Sequence, residues 1–157
     1  MKMGTQVGRL RGMRLFALAV FMAAGCFQGY GQQRRAVSLA GISQAVPLSP
    51  GIVVGDTLYV SGLQGTDQKG KIVTGGVLAQ TRATLENIQK VVRNAGFHMR
   101  DVVAVNVYLT DMRNFGAMNK IYADFFSKPR PVRTTVQVAA LSHGAEIEIS
   151  AIAVKTK

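Results

Sequence analysis

The chain has 157 residues, 48% of them hydrophobic, which fits one domain with its own core. Its formal net charge of +11 favours anionic partners, without choosing among a metabolite, a nucleic acid and a membrane surface. Cys26 is the single cysteine, which excludes an internal disulfide and a cysteine-based metal site.

The N-terminal segment differs from the rest of the chain, because no acidic residue precedes Asp56. Four basic residues come before an apolar run over residues 15–24: Lys2, Arg9, Arg11 and Arg14. This run is shorter than the roughly 20 apolar residues of a membrane-spanning helix. We therefore interpret residues 1–31 as an export signal that directs the protein to the periplasm or the extracellular space. A buried helix or a misplaced start codon is the alternative.

Two cleavage sites compete within this signal. Residues 23–26 resemble a bacterial lipobox, in which Cys26 is lipidated and anchors the protein to a membrane. Ala23 stands where that motif usually has leucine. Small residues at Gly29 and Gly31 instead favour a cut before Gln32, which would release a soluble exported protein.

Turn signals divide the next part of the chain into short strands. We interpret residues 32–44 as a linker that leads into a short edge strand, and residues 45–157 as the folded domain. Residues 52–54 and 57–61 flank a Gly-Asp pair, which predicts a β-hairpin. Residues 72–73 are a candidate for one more short strand.

Apolar residues repeat at helical spacing over residues 75–95 and 113–127, which predicts two helices. Gly96 follows the first helix where a cap glycine belongs, and two prolines end the second. The repeating residues are Leu78, Leu85, Ile88 and Val92, then Phe115, Met118, Ile121, Tyr122 and Phe125.

Three further segments, residues 101–110, 131–138 and 146–154, alternate between apolar and polar positions as strands do. The first has Val103, Val105, Val107 and Leu109 on one face. We predict an α/β (α+β) domain in which a mixed sheet carries two helices on one face. The other face would expose apolar side chains, which indicates an oligomer interface.

The last two strands carry the candidate site. Arg133 follows Pro131, and an arginine fork can hold a carboxylate through two hydrogen bonds. Glu148 and Ser150 alternate with isoleucines, and a glutamate at the end of a pocket can hold a water molecule. Together they indicate a site for a small anionic metabolite.

From about Ala45 to Val154 the chain resembles the RidA/YjgF family of enamine/imine deaminases. The matching segments lie in order along the chain at residues 55–62, 80–88, 95–96 and 101–111, at Phe115, Asn119, Tyr122 and 125–126, and at 131–133, 147–149 and 151–153.

The resemblance implies a homotrimer of chorismate-mutase-like fold, with sites in clefts between subunits. It implies hydrolysis of enamines and imines of the 2-aminoacrylate/2-iminopropanoate type to 2-oxo acids and ammonia. By position, Arg133 corresponds to the arginine that binds the substrate carboxylate and Glu148 to the glutamate that positions the water. Ser61 corresponds to a serine lining the pocket and Asn119 to an asparagine near the site. No metal or cofactor is implied.

The chain departs from the family pattern at the pocket wall. Leu48 replaces a common tyrosine, Leu63 a common glutamine, Thr135 a frequent cysteine and Ser142 a usual proline. The loop over residues 126–131 is about three residues short. These departures leave the substrate open, and a non-catalytic trimer that binds small acids is the alternative function.

We do not expect a nucleic-acid partner or ribonuclease activity. The sequence shows neither a paired histidine and acid constellation nor a basic stripe with interleaved aromatic residues. His98 and His143 lie in a turn and a loop without the spacing of metal ligands. A catalytic role is not expected for either histidine.

Export should leave a shortened chain. Mass spectrometry of the protein from its host should find residue 1 absent, with a lipidated start at Cys26 or an unmodified start near Gln32. An intact N-terminus in the cytoplasm would contradict both cleavage hypotheses.

Overall fold

A computed structural model describes residues 33–42 and 46–155, which form one six-stranded sheet and two helices. The strands are β1 (Arg34–Val37), β2 (Gly51–Val54), β3 (Thr57–Gln64), β4 (Val102–Leu109), β5 (Val132–Gln137) and β6 (Ile147–Val154), and the helices are α1 (Gly76–Asn94) and α2 (Phe115–Phe125). The predicted export signal and Cys26 lie outside the described residues. In the described part of the chain, no helix is long and apolar enough to cross a membrane.

The sheet has the strand order β1-β2-β3-β6-β4-β5. Only β4 and β5 are parallel, and α2 supplies the crossover that a parallel pair requires. The β2–β3 hairpin confirms the predicted one. β1 lies within the predicted linker and pairs with β2. The sheet therefore begins at Arg34, ahead of residue 45, where the folded domain was predicted to start. The short strand predicted at residues 72–73 is wrong, because Ile72 forms only an isolated bridge with Thr66.

The core lies between the sheet and the two helices, which pack on the same face and confirm the predicted architecture. On β6 every second side chain is buried, beginning with Ile147. On α1 the buried stripe starts at Val77 and continues through Leu85 and Ile88. Leu78 was predicted on this stripe, but it is 48% exposed because it is one position, about 100°, away from Val77.

A glycine ends α1 as the sequence predicts. Gly96 has φ +83°, a conformation that L side chains rarely adopt. Its N–H donates to the Arg93 carbonyl at 2.9 Å, and the Phe97 N–H donates to the Val92 carbonyl at 2.9 Å. These two bonds form a Schellman motif, and the buried Phe97 brings the chain back onto the core.

A β-bulge near the start of β4 changes the predicted face of one residue. Val102 pairs with Ala153 and Ala104 with Ile152, so Val103 is an extra residue. Val102 takes the buried position and Val103 is 44% exposed. The prediction that Val103 shares a face with Val105 is therefore wrong, because the bulge shifts the alternation.

The second helix is shorter than predicted. A 3-10 turn covers Met112–Asn114, and the Asp111 carboxylate caps it by accepting the Arg113 N–H at 2.9 Å. α2 then runs only to Phe125. Of the predicted stripe, Met118 and Tyr122 are buried, and Phe115 remains 38% exposed.

The sheet face opposite the helices has no cover within the described chain, and we call it the open face. Register places one apolar row across five neighbouring strands on it: Ile52, Tyr59, Ile152, Ala104 and Val132. Tyr59 is 50% exposed and Val132 72% exposed. Burying these side chains against another copy would remove apolar surface from water, which is the driving force for association.

A lysine at the centre of this row should prevent assembly. Ile152→Lys would place an unpaired charge in the buried interface, so light scattering at micromolar concentration should show trimeric wild type and monomeric variant. The matched control is Leu78→Lys on the exposed side of α1, which should remain trimeric. A monomeric wild type, or a trimeric Ile152→Lys protein, would contradict this assignment of the open face.

Candidate functional site

Arg133 lies on the helix side of the sheet. Its strand β5 pairs with β4, and Arg133 stands opposite Val105, whose side chain is buried in the core. Paired residues on neighbouring strands point to the same face. The arginine therefore extends toward α2 rather than toward the open face.

Aromatic residues of α2 hold the Arg133 guanidinium. Its central carbon lies 4.6 Å from the Tyr122 ring centroid and 5.5 Å from that of Phe115. Nη1 also approaches the Met118 sulfur at 3.8 Å. Within the described chain no carboxylate lies within 4.0 Å of Arg133. The cation–π contacts orient the guanidinium and leave its forked N–H donors for a ligand.

The guanidinium faces a cavity of about 410 Å³, which we call the arginine pocket. It is lined by Asn119, Tyr122, Ala123, Arg130, Pro131 and Arg133. The structure thus brings together Arg133 and Asn119, two of the predicted site residues. Arg130 and Tyr122 complete the polar lining.

Two buried hydroxyl groups near Arg133 lack hydrogen-bond partners among the described residues. One is Tyr122 Oη and the other is Thr135 Oγ1, two residues along β5 from Arg133. Burial raises the pKa of Tyr122, while the nearby charges of Arg133 and Arg130 oppose that rise. An unsatisfied buried hydroxyl is costly, so these groups indicate a place for bound water, ligand or a neighbouring subunit.

Glu148 lies on the open face of the sheet. It alternates with Ile147 and Ile149, which point into the core, and it pairs with Tyr108 and Gln64. Gln64 Nε2 donates to Glu148 Oε2 at 3.0 Å and to Ser142 Oγ at 2.8 Å. The amide therefore fixes one carboxylate oxygen.

A bulge in β3 makes room for the Glu148 carboxylate. The register with β6 shifts between Val60 and Leu63, so Ser61 and Gly62 form the bulge. A Cβ at position 62 would lie 2.9 Å from Glu148 Cδ and closer still to Oε1. A side chain there would displace the carboxylate, which explains the glycine.

Glu148 faces a second cavity of about 350 Å³, the glutamate cleft. Its lining includes Leu48, Lys69, Ser142 and His143. Ser61 is half-buried beside the cleft, one residue before Gly62, but is not among the described residues that line it.

Within one chain the structure does not bring Arg133 and Glu148 together. They lie on opposite faces of the sheet, on strands separated by β4. The arginine pocket and the glutamate cleft are therefore two half-sites of the same molecule. A site that contains both residues requires a second copy of the chain, as an intersubunit cleft provides.

Four residues of these half-sites were not predicted. Gly62 and Gln64 position Glu148, and Tyr122 and Arg130 line the arginine pocket. Tyr122 was assigned to the helix stripe and to the positions that match the family, without a role in the site. The sequence did contain a signal for Arg130, because it stands between two prolines in a shortened loop. Prolines restrict the backbone on both sides of it and so fix its position.

The residues that differ from the family pattern lie in both half-sites. Leu63 points into the core, and the following residue, Gln64, contacts Glu148 instead. Leu48 and Ser142 line the glutamate cleft, and Thr135 lies on the arginine side of the sheet. Among the described residues there is no cluster of three or more histidine, cysteine or acidic side chains that could hold a metal ion.

Comparison with known proteins gives a family match over most of the chain. A family model described as endoribonuclease L-PSP matches residues 39–155. A RutC family protein from Pyrococcus horikoshii is 43% identical over 110 residues, covering 69% of this chain and 87% of that protein. A mouse 2-iminobutanoate/2-iminopropanoate deaminase is 38% identical over 124 residues, covering 78% and 92%.

Solved structures share the fold. RidA from an Antarctic Psychrobacter is 35% identical with a TM-score of 0.72, covering 77% of this chain and 99% of that one. TdcF from E. coli, solved with bound serine, is 31% identical with a TM-score of 0.71, covering 78% and 99%.

Gly62→Ala should move the Glu148 carboxylate and break its bond to Gln64, because the new methyl group needs the same space. We expect a loss of about 1 kcal/mol of unfolding free energy in urea denaturation. In a Glu148→Ala background the same substitution should cost little, since the clash is gone. Gly116→Ala is the matched control: a Cβ there meets nothing within 4 Å, and alanine in a helix should stabilise by about 0.5–1 kcal/mol. Equal effects of Gly62→Ala in both backgrounds would disprove the steric role.

Proposed function

The chain belongs to the endoribonuclease L-PSP family, which includes the RidA/YjgF proteins it resembles, and we propose that it hydrolyses small carboxylated imines to 2-oxo acids and ammonia. The observation that carries this proposal is the Arg133 guanidinium, which faces a cavity without a carboxylate partner in the described chain. The name of the mouse relative supports 2-iminobutanoate and 2-iminopropanoate as the substrate class.

The proposed active site lies between subunits of a homotrimer. Arg133 and Glu148 occupy opposite faces of one sheet, so the arginine pocket of one subunit would adjoin the glutamate cleft of the next. The apolar row on the open face supports association at the side that carries Glu148. The bound serine in TdcF supports a small amino-acid-like ligand for this fold.

The proposed reaction uses few groups. Arg133 binds the substrate carboxylate through two N–H donors and orients the C=N carbon. Glu148 takes a proton from water while the water oxygen bonds to the carbon of the protonated imine, and then passes that proton to the nitrogen of the tetrahedral adduct. The hydroxyl group of the adduct then loses its proton to Glu148 as the C=O bond forms and the C–N bond breaks. Ammonia leaves, the 2-oxo acid remains, and Glu148 gives up the second proton to solvent.

A non-catalytic trimer that binds small acids is the second candidate. Leu48 favours it, because this side chain lines the glutamate cleft where many members have a tyrosine, and it is 46% exposed. Binding of 2-oxo acids without turnover of any imine would establish this candidate over the first.

RNA cleavage is a third candidate, named in the family description. The sequence pattern shows no paired histidine and acid, but in the structure His143 and Glu148 line one cleft together with Lys69. If the cleft cleaves RNA by general acid–base catalysis, His143→Ala should abolish release of labelled fragments. If the His143→Ala variant cleaves RNA at the wild-type rate, the cleavage comes from another group or from a contaminant.

Glu148→Gln should lower kcat by about 10²–10⁴-fold, because it removes the general base and keeps the side-chain shape. Affinity for 2-oxobutanoate should stay within a few-fold, since Arg133 binds the carboxylate. The assay follows oxo-acid release from imines formed in situ by an amino-acid oxidase. Normal turnover by Glu148→Gln would refute its role as base.

Arg133→Lys is the matched comparison for substrate binding. It keeps the charge but removes the planar fork, so KM should rise about 10-fold or more. An unchanged KM would show that Arg133 does not hold the substrate.

A further inference from the structure

The arginine pocket holds more positive charge than is needed to neutralise one carboxylate. Arg130 and Arg133 both line it, and none of its six lining residues is acidic. In the part of the chain that the structure describes, neither guanidinium forms an ion pair within 4.0 Å. A small ligand would meet two cationic groups with unused donors.

Arg130 is placed by the loop between α2 and β5. Pro129 and Pro131 flank it, and prolines limit the backbone conformations on both sides. The residue is exposed, so the guanidinium is not required for packing the core. Arg130 can therefore bind a ligand in the pocket that it lines.

Tyr122 lines the same pocket as the two arginines. Tyr122 is only 4% exposed, and its hydroxyl has no hydrogen-bond partner among the described residues. The Arg133 guanidinium carbon lies 4.6 Å from the Tyr122 ring centroid, and Arg130 lines the same pocket. The phenol is protonated at neutral pH, as an ordinary tyrosine is, and burial raises the pKa of Tyr122 further. The hydroxyl is therefore a donor buried behind the pocket wall, without a partner among the described residues.

We propose that the arginine pocket selects dicarboxylic 2-imino acids, with iminosuccinate as the four-carbon member of the class. This inference rests on the proposed function, since it assigns the substrate class of the same site. Arg133 binds the carboxylate next to the imine, and Arg130 binds the distal carboxylate. Two carboxylates match two guanidiniums in charge, and an arginine fork can donate two N–H groups to each carboxylate.

The chemistry is the same hydrolysis. Water adds to the C=N carbon of iminosuccinate, the C–N bond breaks, and the products are oxaloacetate and ammonia. The distal carboxylate does not react, and no oxidant or reductant is needed.

Binding by the assembled protein tests the selection without turnover. Isothermal titration with fresh oxaloacetate and with 2-oxobutanoate compares two four-carbon oxo acids that differ by the second carboxylate. Wild type should bind oxaloacetate about 10-fold or more tightly, as expected for one additional charge-assisted hydrogen-bonded pair. Arg130→Gln should remove this preference. Lys128→Gln changes a neighbouring exposed cation outside the pocket lining and should retain it.

Equal affinities for the two acids in wild type would overturn the proposal. A preference that survives Arg130→Gln would also overturn it. Equal affinities are the result expected if Arg130 instead pairs with an acid of the neighbouring subunit.

Turnover separates this proposal from the proposed function. Iminosuccinate and 2-iminobutanoate are formed in situ by amino-acid oxidases and followed through their oxo acids. Oxaloacetate preference without hydrolysis of either imine would support selection and reject deamination. Hydrolysis of both imines with equal kcat/KM, and equal binding, would support deamination and reject selection.

Discussion

The alternation of side chains across one sheet is the constraint on which the rest of this structure depends. Core packing fixes which residues of β4 and β6 point toward the helices, and a shift of one position would turn those apolar side chains outward. The same register sends Arg133 to the helix side and Glu148 to the open face. A single chain consequently holds two half-sites, and joint chemistry depends on association.

Each half-site is held by groups with no direct part in the proposed reaction. On α1, Asn87 donates to the Thr66 carbonyl at 3.0 Å, and Gln80 accepts the Glu146 N–H at 2.8 Å. These bonds anchor the backbone close to Gln64 and Glu148. On the other side, aromatic rings orient Arg133. Such support reduces the reorganisation required when substrate binds.

Periodicity predicted most of the fold because it reports burial. It located both helices and the alternating strands, but it did not show the bulges at Val103 and Gly62, which depend on pairing between distant strands. The resemblance identified Arg133, Asn119 and Glu148 by position. It did not show that Arg133 and Glu148 face opposite ways, because this follows from register. Tyr122 and Arg130 were missed, since only tertiary packing places them beside Arg133.

Mixed assembly of two variants tests the proposed intersubunit site most directly. Arg133→Ala and Glu148→Gln proteins, each inactive alone, would be denatured, combined in equal amounts and refolded together. Random assembly should restore about a quarter of wild-type activity, because about one interface in four would pair an intact Arg133 with an intact Glu148. If both residues act within the same subunit, every site carries a defect. Mixtures no more active than the separate variants would then contradict the account.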